Sequence, residues 1–160
     1  MTEVRVITPD DWALWREVRL AALHEAPYAY GSTYADWVDA PEQRWRDRLG
    51  GAFRNLLVLV DGQPGGIASG IPAEDPGVVE IVSMYVLPAA RGRGVGDRLL
   101  TELADWARAR GATALRLAVT VGNEHATALY RRHGFRHTAT HEETGPHGTR
   151  YERTMVLPLA

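Results

Sequence analysis

A strand pattern that runs straight into a turn of alternating glycines and then into an amphipathic helix constrains this chain more than any other feature. The strand is V78-V-E-I-V-S-M-Y-V86, and after Leu87-Pro88 the turn is Arg91-Gly92-Arg93-Gly94-Val95-Gly96. Val95, Leu99, Leu100, Leu103, Trp106 and Ala107 then recur at helical spacing up to Arg110, with Gly111 as the stop signal. A turn between strand and helix aims successive backbone N–H groups outward from the positive end of the helix, which makes an anion cradle. Glycines let backbone approach a ligand with no Cβ in the way, Arg91 and Arg93 can add positive charge, and a pyrophosphate suits such a cradle. Two better-known phosphate loops do not fit. No Lys-Ser or Lys-Thr follows the last glycine, and the position that would complete a dinucleotide fingerprint is Asp97. On this segment alone, a tight turn with no ligand remains open.

The rest of the chain supplies a frame for that unit. Short strands are expected over 3–7, 55–60 and 65–71, the last two divided by the turn signal Asp61-Gly62. Helices are expected over 10–25 and 41–49, with an aromatic loop and at most a helical turn between them. A strand over 114–119, a helix over 124–133 closed by Gly134, and strands near 135–141 and 149–157 complete the list. Strands 78–86 and 114–119 are joined through a helix, so they should lie parallel through a right-handed crossover. The others read as antiparallel, which gives an α/β chain of α+β type with a mixed sheet.

Composition narrows the function classes. At 160 residues and 45% apolar, with no repeat or linker, residues 1–160 read as one domain. No run approaches the ~18 apolar residues of a membrane span, and the start of the chain lacks a signal-peptide pattern, so a cytoplasmic protein with no membrane partner is expected. Cysteine is absent, which excludes thiolate nucleophiles and cysteine-bound metals. All 18 basic residues are arginine. Coding bias accounts for that simply. With a net charge of −2 and basic residues scattered, nucleic acid is not an expected partner.

A second motif fixes the first. Arg91-x-x-Gly94-x-Gly96, followed by Asn123-x-x-Ala126-x-x-Leu129-Tyr130-x-x-x-Gly134-Phe135, resembles the Gcn5-related N-acetyltransferase (GNAT) superfamily in both its recognisable motifs. The resemblance covers about 60 residues and implies a single-domain GNAT fold. That fold is a mostly antiparallel sheet of about six to seven strands with a splayed parallel pair, flanked by about four helices. It further implies acetyl-coenzyme A as cosubstrate, with no metal.

Residue roles follow from the resemblance. The pyrophosphate would sit on Arg91, Gly92, Arg93, Gly94, Val95 and Gly96, and the pantetheine arm would pair with the strand at Met84 and Val86. The Val86 N–H would face the acetyl carbonyl as charge develops there. Tyr130 matches the tyrosine that protonates the departing thiolate, although a buried structural aromatic is the alternative. Asn123 matches a pantetheine ligand and is equally an ordinary helix N-cap. Glu80 is placed like the glutamate base of the histone acetyltransferase branch. An ion pair with an arginine, leaving water to take the proton, is the competing reading.

The acceptor side would be built from Glu25 to Trp37 and the loop 141–148. Tyr28, Tyr30, Tyr34 and Glu142 there suit a cationic amine, or are simply core aromatics and a solvated turn. His137, His141 and His147 show no familiar metal spacing. The function expected is acetyl transfer to a primary amine of a small molecule, amino acid, antibiotic or peptide N-terminus. A non-catalytic acyl-coenzyme A sensor is the alternative, and a homodimer is a possible assembly because the family is often dimeric.

Overall fold

The computed structural model describes residues 1–27, 30, 32–145 and 148–159. The strands are β1 (Thr2–Val6), β2 (Arg54–Val60), β3 (Gln63–Pro72), β4 (Val78–Val86), β5 (Ala114–Thr120), β6 (Arg136–Gly145) and β7 (Gly148–Pro158). The helices are α1 (Trp12–Glu25), α2 (Tyr34–Val38), α3 (Glu42–Gly50), α4 (Val95–Ala109) and α5 (Glu124–Arg132). The seven strands form one sheet in the order β1-β2-β3-β4-β5-β7-β6, parallel at β4–β5 and antiparallel elsewhere. α2 turns the aromatic loop into a short helix because Thr33 caps it, its hydroxyl accepting from the Asp36 N–H.

Two layers cover the sheet. On one face Leu56, Val58 and Val60 pack with Leu99, Leu100 and Leu103 of α4; on the other Leu57 and Leu59 pack with Trp15 of α1 and Trp45 of α3. β2 is buried on both sides, so its continuous apolar run is required. Asp61 and Gly62 both take positive φ, 50° and 82°, the geometry of a two-residue hairpin that matches strand twist.

β3 is what seats α4. Gly66, Ala68 and Gly70 alternate with Ile67 and Ser69, which face the α1 and α3 side, and so share the face toward α4. A Cβ on Gly66 would lie 2.7 Å from Val95 Cγ1, and one on Gly70 would lie 3.3 Å from the Trp106 ring. These small residues let the helix approach the sheet closely and thereby fix where its N-terminus emerges.

β4 carries a bulge. Ile67 faces Tyr85 and Ser69 faces Val82, so Ser83 and Met84 together oppose Ala68, and Ser83 takes φ 57°. One extra residue reverses the alternation. Val79 and Ile81, before the bulge, pack into the α4 layer, whereas Tyr85, after it, packs with Trp15 and Trp45. Met84 and Val86 consequently fall on the α4 side. No helix among the described residues is long and apolar enough to cross a membrane.

Candidate active site

Parallel pairing between β4 and β5 joins Val78, Val79 and Glu80 to Ala114, Leu115 and Arg116 and stops there. Beyond Glu80 the strands diverge, leaving a wedge in the sheet whose open end leads to the turn at 91–96. Leu87 N–H donates to the Gly65 carbonyl, 2.9 Å, on the β3 side. Because successive strand residues face opposite edges, the Val86 N–H faces the wedge. The carbonyls on the same edge are taken by side chains: Met84 O accepts from the Tyr30 hydroxyl at 2.9 Å, and Val86 O accepts from Arg91 Nε at 3.2 Å.

At the mouth, Gly92 and Gly94 take φ of 78° and 77°, and a Cβ on either would enter open space. Gly94 begins α4 without a side-chain cap, so the first N–H groups of a fifteen-residue helix point into that space. This cradle fits a phosphate. Gly96 has a different task, since a Cβ there would lie 2.9 Å from Leu129 Cδ2 and force that side chain of α5 to shift. Arg91 reaches back to Glu25 at 2.8 Å and Arg93 to Asp61 at 3.1 Å. Both pairs are exposed and contribute little to stability, so both guanidiniums can be released to an anion.

The other expected residues fall around the wedge in different ways. Tyr130 is buried on α5, its ring edge-on to Phe135 at 6.0 Å, and close enough to Tyr30 that charge on one would disfavour charge on the other. Burial pushes the Tyr130 hydroxyl well above its ordinary value, and among the described residues that hydroxyl has no hydrogen-bond partner. Asn123 caps α5, its Oδ1 accepting from Ala126 N at 3.3 Å. Glu80 stands at the apex, 3.6 Å from Arg116, which also holds Asp75 at 2.7 Å.

On the acceptor side, Tyr30 reaches the wedge, while Tyr34 is exposed on α2 against His24. Tyr28 lies outside the described residues, as does His147. Glu142 is on the exposed face of β6, accepting from the Tyr151 hydroxyl at 3.1 Å. Its hairpin is tied to the Tyr30 carbonyl through Arg150 at 3.3 Å. His141, Glu143 and Glu152 converge within 4.8 Å, and Arg150 already pairs with one of the two carboxylates, Glu152, at 3.2 Å.

Sequence reasoning passes over several residues at the site. Tyr85 donates to Glu25, whose carboxylate is held below the usual range by that bond and by Arg91. Arg19 and Arg48 lie half-buried beside Trp15 and Trp45. Their signal was an arginine one helical turn along the buried stripe from a tryptophan, at i+4 in α1 and i+3 in α3.

The decisive comparison is with the model of the acetyltransferase (GNAT) family, which matches residues 15–135. The chain belongs to the GNAT family. It is 31% identical over 140 residues to a mycothiol acetyltransferase from Streptomyces avermitilis, covering 87% of this chain and 43% of that protein. The chain thus spans under half the length of curated relatives it matches, 40% for the mycothiol acetyltransferase of Renibacterium salmoninarum. Among solved structures, ribosomal-protein-alanine N-acetyltransferase from Brucella melitensis superposes with a TM-score of 0.79 at 28% identity, covering 98% of this chain and 99% of that one. yncA from Salmonella typhimurium, solved with its cofactor acetyl-CoA, superposes with a TM-score of 0.82 at 25% identity, covering 100% and 95%. The seven-stranded mixed sheet with its splayed parallel pair is therefore the GNAT fold, with five helices where about four were expected.

Proposed function

We propose that this chain is an acetyl-coenzyme A-dependent N-acetyltransferase that moves an acetyl group to a primary amine by direct attack in a ternary complex. The observation that carries the reading is the wedge between β4 and β5, lined by an outward Val86 N–H and ending at the uncapped glycine turn of α4. Acetyl-coenzyme A supplies the activated acyl group. Arg91 to Gly96 hold its phosphates, Met84 and Val86 offer backbone to its extended arm, and the Asn123 side chain closes the opposite wall. The Val86 N–H donates to the acyl carbonyl oxygen, where negative charge grows. Tyr130, kept protonated by burial, gives its proton to the sulfur. Tyr30, and by their placement in the chain Tyr28, Tyr34 and Glu142, form the acceptor side.

Glu80 takes the amine's proton through water in the wedge. A Glu80→Gln variant is expected to lose about 100-fold in kcat/KM at neutral pH, the loss shrinking as pH rises and the amine deprotonates unaided. A pH profile superimposable on the parent's assigns proton removal to solvent and leaves Glu80 as the partner of Arg116.

The whole reading is tested by thiol release from acetyl-coenzyme A over a panel of amines, amino acids, aminoglycosides and short peptides. The protein has no cysteine and adds no thiol background. Release dependent on one amine class is expected. Coenzyme A binding with no release from any acceptor would point to the sensor, and no binding would end both readings.

A further inference from the structure

Arg19 and Arg48 differ from the arginines that form ion pairs. Arg91, Arg93, Arg116, Arg132 and Arg150 each meet a carboxylate. Among the described residues, Arg19 and Arg48 meet none. Arg48 donates only to neutral oxygens, Asn55 Oδ1 at 3.3 Å, Ser69 Oγ at 3.2 Å and Ser83 Oγ at 3.1 Å. Arg19 stacks on the Tyr30 ring, 4.4 Å from its centroid.

The two guanidiniums line a cavity of about 30 Å³ together with Trp15, Trp37, Trp45 and Ser32. That exceeds the ~10–15 Å³ a single water needs. Three polar atoms of the residues that line it are buried with no hydrogen-bond partner among the described residues: Trp15 Nε1, Trp45 Nε1 and Arg19 Nη1. Trp15 and Trp45 have no exposed surface at all. All three atoms are donors. Among the described residues the lining has one hydroxyl, on Ser32, as its only side-chain acceptor and no acid, beside two positive charges and these unpaired N–H groups, so negative charge is what it lacks. Burial pulls the Arg19 pKa down to about 10, with Tyr30 opposing the fall and the neighbouring Arg48 adding to it. Water could accept the N–H groups, but only an anion meets both needs.

The cavity adjoins the wedge. Arg48 binds Ser83 of the bulge, and Tyr30, under Arg19, binds the carbonyl of Met84. We infer that this cavity is the anion subsite of the acceptor: the amine this chain acetylates is a free amino acid, its carboxylate held by Arg19, Arg48 and the indole N–H groups of Trp15 and Trp45. For the reaction this rests on the acetyltransferase reading; for binding it does not. Polyamines and aminoglycosides lack the group the cavity requires.

The experiment is a tryptophan-fluorescence titration without coenzyme A, using the standard amino acids, their C-terminal amides and the corresponding decarboxylated amines. At least one free acid is expected to saturate at a concentration about 100-fold below its amide and its amine. Arg19→Met and Arg48→Met should each abolish that preference, and Arg108→Met, on the solvent side of α4, should keep it. Trp45→Phe retains an aromatic ring and removes the N–H, so it remains informative if an arginine variant fails to fold; about tenfold weaker acid binding is expected. Equal affinity for acid and amide, no saturation by any amino acid, or the same response to sodium chloride alone would overturn the subsite. Acid binding with no thiol release from acetyl-coenzyme A would retire the acetyltransferase reading and leave the subsite standing. Thiol release at equal kcat/KM with acids and amides would do the reverse.

Discussion

Replacing Tyr130 by phenylalanine is expected to lower kcat about 100-fold while leaving coenzyme A affinity within about twofold. The substitution keeps the ring that packs against Phe135 and removes a hydroxyl with no hydrogen-bond partner among the described residues. Stability should therefore change little, which makes the kinetic effect clean. Burial holds the phenol protonated throughout the physiological range, so what disappears is a donor and not a base. Steady-state thiol release with calorimetric measurement of coenzyme A binding separates the two quantities. Full kcat in the variant would return Tyr130 to the role of a core aromatic.

The second large effect is on stability. A Gly66→Ala variant places a Cβ 2.7 Å from Val95 Cγ1 and 2.8 Å from the Tyr85 carbonyl. One neighbour is backbone in the adjacent strand and the other is the first residue of α4, so neither yields without moving an element. We expect about 3 kcal/mol of destabilisation. For a chain of this size that is roughly a 10 °C fall in Tm. Coenzyme A affinity should fall with it, because the helix that moves is the one presenting the cradle. Gly145→Ala is the control, since a Cβ there meets nothing within 4 Å. A calorimetric melt within about 2 °C of the parent for Gly66→Ala would show that β3 and α4 have slack.

What the sequence displays well is local. Gly94, Gly111 and Gly134 mark helix ends because only glycine takes their positive φ cheaply, and Asp61-Gly62 marks a hairpin for the same reason. The strand, turn and helix of the cradle are contiguous, so their geometry follows from neighbours. The acceptor side is not contiguous. Arg19 and Arg48 meet only because α1 and α3 pack side by side on one face, and Arg91 folds back to a carboxylate 66 residues away. The divergence of β4 from β5 is hidden for a related reason. Both segments are good strands, and where their pairing stops depends on what α5 and the bulge at Ser83 do to each.

That bulge shifts the reading frame of the pleat, and the shift has an evolutionary consequence. Within a single strand, Val79, Ile81, Met84 and Val86 answer to the helix that carries the cofactor cradle. Tyr85 and Leu87 answer to the helices that carry Arg19 and Arg48. Substitutions can therefore accumulate in one set without disturbing the other, so a lineage can change the molecule it modifies while its donor chemistry stays fixed. A deletion at Ser83 would leave Met84 opposite Ala68 and Tyr85 opposite Ile67, keeping both sets on their own faces while removing the hydroxyl that Arg48 holds.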